Sequence, residues 1–319
     1  MNIASLLSSL LSQLLAVLAA LVLAPLLLGW VNQCRAWLQN RSGPGLYQPY
    51  RMLNKLFNKE SIVAESASSL FRMAPYVVFG CMLMSCAIIP TLSTDLPLSN
   101  AADAIALVGL FAMARVFISL AAMDIGTAFG SLGARREMLI GFLAEPALLT
   151  VFFTSSLISQ STALTSIVEH MASREFAIYP SLAFAGIAFC CVSFAENARV
   201  PVDNPTTHLE LTMIHEALIL EYSGRHLALL EWAASLKLFA YSCIGIALFF
   251  PWGIANASNP MALIYSIPVL VMKLCLGGFL LAFIETLSAK MRIFRVPEFL
   301  ATAFLFAVIG MLTHFLLGT

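Results

Sequence analysis

The acids and bases of this chain fall where a lipid bilayer would make them costly. The segment Ala195-Glu196-Asn197-Ala198-Arg199-Val200-Pro201-Val202-Asp203 opens a charged stretch, and Glu210, Glu216, Glu221 and Glu231 follow it. Other charges lie inside or at the ends of apolar runs: Asp103, Arg115, Glu145, Glu196, Lys237, Lys273 and Glu285. A charge at mid-bilayer depth costs about 2.5–3.5 kcal/mol on insertion scales, so such residues pair, line water or carry ions. Glu145 sits in Phe142-Leu143-Ala144-Glu145-Pro146. A carboxyl there is either half of a structural ion pair or a proton-relay group, and the same two readings apply to Glu196. Lys237 and Lys273 are candidate counter-charges or snorkelling anchors. Asp103 reads as a solvated group at the outer membrane surface.

Other chemistries find little support. His215-Glu216-Ala217-Leu218-Ile219 lacks the second histidine that a zinc-protease helix needs. His208 and His215 could share a helix face, but two histidines without a third ligand do not make a metal site. No Ser-His-Asp order, Gly-rich phosphate loop or nucleophile elbow stands out, so the chain alone does not read as a complete enzyme. The seven cysteines, Cys34, Cys81, Cys86, Cys190, Cys191, Cys243 and Cys275, form no Cys-x-x-Cys pair. Several fall in apolar runs and read as small buried hydrophobes. Without an iron–sulfur or haem signature, any redox centre is expected on another chain.

The elements that must position these charges are membrane helices. Of 319 residues, 60% are hydrophobic and only 11% charged, and the mean hydropathy is +0.90. A soluble domain carries about 25% charged residues. The net charge is zero, and no basic tail suggests nucleic acid. The first positive charge, Arg35, follows the first apolar run, so that run is read as a retained spanning helix rather than a signal peptide. Eight segments reach the roughly 20 apolar residues that a span needs. They lie at roughly 10–32, 74–92, 101–121, 138–159, 178–198, 233–252, 261–284 and 297–317. The expected fold is an all-α polytopic membrane protein, a single integral-membrane domain over 1–319.

Alternate loops hold nearly all the lysine and arginine. Arg35, Arg41, Arg51, Lys55, Lys59 and Arg72 lie in one, Arg135 and Arg136 in another, then Arg199 and Arg225, then Lys290, Arg292 and Arg295. The opposite loops hold only Arg174. The positive-inside rule places loops 33–73, 122–137, 199–232 and 285–296 in the cytoplasm and both termini outside it. Within the first loop, Tyr50, Leu53, Leu56 and Phe57 recur at helical spacing with Arg51, Lys55 and Lys59 between them, which predicts a short surface helix. The third long loop predicts a helix of its own, capped at Asn204 or by Thr207 with Glu210. Its apolar face is Leu211, Ile214, Leu218 and Tyr222, with Gly224 as the stop. Glu210 and Glu221, eleven residues apart, would share a face. No internal repeat is visible, against a stand-alone transporter fold.

The pattern Glu196-x-x-Arg199-x-Pro201-x-Asp203, then Glu210-Leu211 and Glu221-Tyr222-Ser223-Gly224, resembles the subunit 1 family of respiratory complex I, a family of membrane proteins. That family includes the membrane anchors of energy-converting hydrogenases. Asn40-Arg41-Ser42-Gly43-Pro44-Gly45, Gln48, Lys55-Leu56-Phe57, and Arg136 nine residues before Glu145 extend the match. Arg115, Met123-Asp124-Ile125-Gly126, Gly133-Ala134-Arg135-Arg136-Glu137, Glu145-Pro146, Lys237 and Glu285-x-x-x-Ala289-Lys290-x-Arg292 resemble the hydrogenase branch, as in formate hydrogenlyase and hydrogenase-4. The family usually has further acids after the aspartate; this chain has Thr206 and His208. His208, titrating near neutral pH, could carry protons in their place or cap the loop.

The resemblance implies an eight-helix protein at the heel of an L-shaped oxidoreductase complex in the inner membrane of a prokaryote. Its partners would be hydrogenase-like large and small subunits, iron–sulfur subunits and antiporter-like membrane subunits. Cofactors would sit on those partners, as iron–sulfur clusters and a nickel–iron centre, with none on this chain. Glu145, Glu196, Asp203, His208, Glu210, Glu221 and Glu285 would form the proton or ion pathway, with Lys237 and Lys273 balancing buried carboxylates. Arg41, Arg135, Arg136, Arg199 and Arg292 would organise the junction with the soluble arm. A quinone cavity, as in complex I proper, is the second reading, and a stand-alone ion transporter the third.

Overall fold

The computed structural model describes residues 3–94, 97, 103–173, 180–203, 213–255 and 260–317. Among these, the chain is helical throughout, with only two isolated bridges between loop residues. The helices are α1 (Ile3–Leu38), α2 (Gln48–Phe57), α3 (Ser69–Ile88), α4 (Ala104–Asp124), α5 (Ala128–Ser159), α6 (Leu164–Ser173), α7 (Pro180–Glu196), α8 (His215–Ile219), α9 (Gly224–Phe249), α10 (Pro260–Leu287) and α11 (Val296–Leu317). Seven are long and apolar enough to cross a membrane, and α7, at 17 residues, is a shorter apolar helix. These are the eight expected segments, and the protein is an all-α, multi-pass membrane protein.

Local chemistry sets the helix starts. Ser68 accepts from the backbone N–H of Leu70 at the start of α3, an N-cap that satisfies an otherwise orphaned donor. Asp103 does the same for Ile105 at the start of α4, from a partly exposed position. Proline occurs inside α1, α3, α5 and α10. Membrane helices tolerate it where neighbours re-satisfy the freed backbone. The long helices pack as one body: α3 on α4 and α9, α5 on α4, α7 and α11, and α1 on α9 and α10. Two indoles staple α1 in place: Trp30 donates to the Cys275 carbonyl of α10 at 2.9 Å, and Trp232 of α9 donates to the Leu21 carbonyl at 3.3 Å.

The surface helix is α2. It buries Pro49 and Leu53, and Tyr50 donates to the Val22 carbonyl of α1. In the third long loop, Ile214, Leu218 and Tyr222 are buried as the apolar face required. Asn204, Thr206, Thr207, His208, Glu210 and Leu211 lie outside the described residues, as does Arg174. Gly224 does not end that helix. It holds φ +52° as the first residue of α9, with Glu60 and Lys59 carbonyls so close that a Cβ would clash. The cysteines are free, with Cys34, Cys81, Cys86 and Cys243 buried.

Two loops are shorter than the charges implied. Residues 128–137, expected in a loop over 122–137, form the first turns of α5, and residues 224–232 form those of α9. Arg135, Arg136, Glu137, Arg225 and Glu231 break the hydropathy of these turns, but charge does not end a helix whose backbone bonds are complete. Likewise α1 runs on to Leu38 and α10 to Leu287, which places Arg35 and Glu285 on helices.

Candidate functional site: a buried line of charges

The site begins on one face of α5. Glu137, Gly141 and Glu145 are four residues apart, so they stack along one side of the helix. Gly141 leaves the space between the two carboxylates for a visitor from α4. A Cβ at Gly141 would clash with Nη1 of Arg115. Arg115 fills that space and forks: it pairs with Glu145 and with Glu196 of α7, and its Nε lies 3.4 Å from Oε1 of Glu137. Lys237, from α9, lies 2.9 Å from the other oxygen of Glu196. Four membrane helices thus deliver three acidic and two basic side chains to one spot. A planar guanidinium suits this task because its donors point in fixed, separate directions.

The cluster reaches the loop end through His215. Its Nδ1 lies 3.3 Å from Oε2 of Glu137, and its backbone N–H donates to Oδ2 of Asp203. Asp203 also pairs with Lys290 at 3.2 Å. Four residues earlier in the same loop, Arg199 lies 3.3 Å from Glu285, whose second oxygen is 3.8 Å from Arg35. Burial pulls the Arg199 guanidinium below its ordinary pKa, while the Glu285 carboxylate opposes that fall. Arg136 donates to the Met213 carbonyl and so ties α5 to the chain just before α8. Gly133, a turn earlier on α5, lets α8 approach: a Cβ there would stand 2.8 Å from that of Ala217.

A cavity of about 370 Å³ follows this line. Arg115, Glu137, Glu196, Asp203 and His215 line one part of it; Leu28, Val78, Met82 and Phe111 wall another. The arrangement holds several carboxylates around one guanidinium, with the His215 imidazole beside Glu137, so movement of the guanidinium would change how tightly each carboxylate holds a proton.

The structure brings together Glu145, Glu196 and Lys237 at the inner end and Asp203, Arg199 and Glu285 at the outer end. It does not bring in Lys273, which donates to the Phe250 and Trp252 carbonyls beyond the end of α9 and so caps a helix terminus rather than balancing a carboxylate. Glu221, Arg41, Arg135 and Arg292 are exposed. His208 and Glu210 fall outside the described residues. Sequence reasoning did not place Arg115, Glu137, His215, Arg35 or Lys290 among the site residues. The four-residue spacing of Glu137, Gly141 and Glu145 was the available signal for Glu137.

Fold and site together define a multi-pass membrane protein with a cluster of paired charges buried between its helices. The chain belongs to the NADH dehydrogenase family, which it matches over residues 11–315. It is similar to formate hydrogenlyase subunit 4 of Escherichia coli K12, 31% identical over 90% of this chain and 93% of that one. It is also similar to hydrogenase-4 component C of the same organism, 33% identical over 85% of each chain. An NADH-quinone oxidoreductase subunit of Streptomyces avermitilis is 26% identical over 71% of this chain and 54% of its own length. A chain in the structure of the membrane-bound sulfane sulfur reductase, an archaeal respiratory membrane complex, shares the fold, with a TM-score of 0.82 at 21% identity, covering 96% of this chain and 99% of that one.

Proposed function

We propose that this protein is the membrane anchor and ion-pathway subunit of an energy-converting oxidoreductase complex of the formate hydrogenlyase or hydrogenase-4 kind. One observation carries the reading: a line of charged side chains runs from Lys290 and Asp203 at the loop end, across the backbone N–H of His215 to its imidazole and Glu137, and on to Arg115, Glu145, Glu196 and Lys237 between the helices. Identity above 30% to two hydrogenase-complex subunits over most of their length supports the assignment of complex.

In this reading the redox centres, iron–sulfur clusters and a nickel–iron site, belong to hydrogenase-like and iron–sulfur partner subunits docked on the loop end. Arg135 and Arg292 are exposed there for pairing with partner acids. Redox change in the soluble arm moves or recharges the loop at 197–203, and the line transmits this inward as changed proton affinity. Glu145 is the hand-off point. Its side chain is 32% exposed where Glu196 is 2%, so it is the inner acid that an antiporter-like neighbour can reach. In this reading the protein sits in the inner membrane of a prokaryote, and the distribution of lysine and arginine supports a loop end in the cytoplasm with both termini opposite.

A second reading rests on the apolar wall of the cavity, which would suit a quinone head group beside Arg115. Purification through a tag on this chain, in mild detergent, tests both. Hydrogenase-like, iron–sulfur and antiporter-like subunits are expected by mass spectrometry. Flavin- and NADH-binding subunits would replace the first reading with the second, and a stable solitary chain would sink both and favour a stand-alone transporter.

A further inference from the structure

A second cavity, of about 590 Å³, opens at the loop end between the last turns of α1 and α10. Arg35, Arg41 and Lys290 line it, with Glu285 on the same wall and the hydroxyls of Ser42 and Ser288. The charges that the described residues place around it do not balance. Arg199 stands behind Glu285 and Asp203 behind Lys290, so among the described residues four cations face two carboxylates. Helices α1 and α10 both end here, and a helix C-terminus carries roughly half a negative charge. Roughly one positive charge remains on the described residues, the charge that one phosphodiester would neutralise.

The setting favours a lipid. Helices α1 and α10 are joined by the Trp30–Cys275 hydrogen bond and, nearer their last turns, by the Arg35–Glu285 pair, so those last turns lie side by side. Trp37 and Leu287, at those ends, are 57% and 71% exposed. An aromatic ring at the end of an apolar helix marks the head-group layer. Polar cavity and apolar flank thus meet where a phospholipid changes from head group to chain.

We propose that this cavity binds the phosphate of an anionic phospholipid, held by Arg41, Arg35 and Lys290, with the acyl chains along the exposed faces of α1 and α10. The seat would fix the outer end of α10, and with it Glu285, against α1.

The test uses the tag-purified complex, reconstituted in nanodiscs of phosphatidylcholine with a minor share of phosphatidylglycerol, and counts retained lipids by native mass spectrometry. Retained phosphatidylglycerol is expected, with Arg41→Ala weakening it about fivefold, the effect of one basic side chain at a membrane surface. Arg41→Lys should restore most of it, and Arg295→Ala, an exposed cation that does not line the cavity, should change nothing. Equal retention by Arg41→Ala and the wild type would overturn the proposal. Displacement of the lipid by inorganic phosphate would overturn the lipid source and leave a site for a soluble anion. Retention only by the chain stripped of its partners would assign the cavity to an acidic segment of a partner instead.

Discussion

Arg115 holds three carboxylates from two other helices, so its removal differs from the loss of an ordinary ion pair. Deleting one partner of a buried pair costs about 3–5 kcal/mol, because the charge left behind has no water to return to. Arg115→Leu should therefore lower the thermal midpoint of the detergent-purified protein markedly. Adding Glu196→Gln should recover part of the loss, since it removes one stranded charge. Arg115→Lys should fall between, as an ammonium cannot fork toward Glu137, Glu145 and Glu196 at once. A midpoint unchanged in Arg115→Leu would show that the cluster is not held by this residue. Glu145 is different: part of its side chain is open, so Glu145→Gln should leave folding and assembly intact. It should reduce coupled ion transport in inverted vesicles, read as dye-reported acidification, at normal redox turnover. Transport at the wild-type rate would remove Glu145 from the line.

The helices are held at the right separations by a few small residues. A Cβ at Gly310 of α11 would meet the Ser181 carbonyl of α7 at 2.9 Å, and backbone cannot swing aside as a side chain can. Gly310→Leu should push α11 off α7, lowering stability by about 1–3 kcal/mol and disturbing Glu196 at the other end of α7; an unchanged unfolding midpoint would mean that the two helices are free to separate. Such contacts mark the limit of what a sequence shows. The apolar runs and the amphipathic spacing around Leu53 announce the spans and the surface helix, because burial in lipid depends on local composition. The first turns of α5 were hidden, because Arg135, Arg136 and Glu137 look like loop to a hydropathy window. Of these, Glu137 is buried against Arg115, which arrives from another helix. The acids themselves were legible as charges out of place. Their partners were not, because Glu196 and Glu285 meet Arg115 and Arg199 across 81 and 86 residues of chain, a separation with no periodic signal.

At the scale of the molecule, the outer ion pairs and the approach to the inner cluster meet in one loop. Arg199 reaches Glu285 on α10, and four residues later Asp203 reaches Lys290 and the backbone of His215. A partner that shifts this loop must change the outer pair and the approach to Glu137 together. Lys290 is the place to separate loop position from inner chemistry, because it holds the loop but does not touch Arg115. Lys290→Gln should leave Asp203 unbalanced on one side and let the loop move without transmitting the movement. The assembled complex should keep its redox turnover and lose part of its ion transport, with Lys290→Arg close to wild type. The decisive measurement is the double variant with Glu145→Gln. Residues at opposite ends of one line should combine non-additively in coupling free energy, by more than the roughly 0.3–0.5 kcal/mol scatter of independent distant sites. Strict additivity would mean that the outer and inner clusters act separately, and that the continuous line of charges stabilises the fold without carrying ions along it.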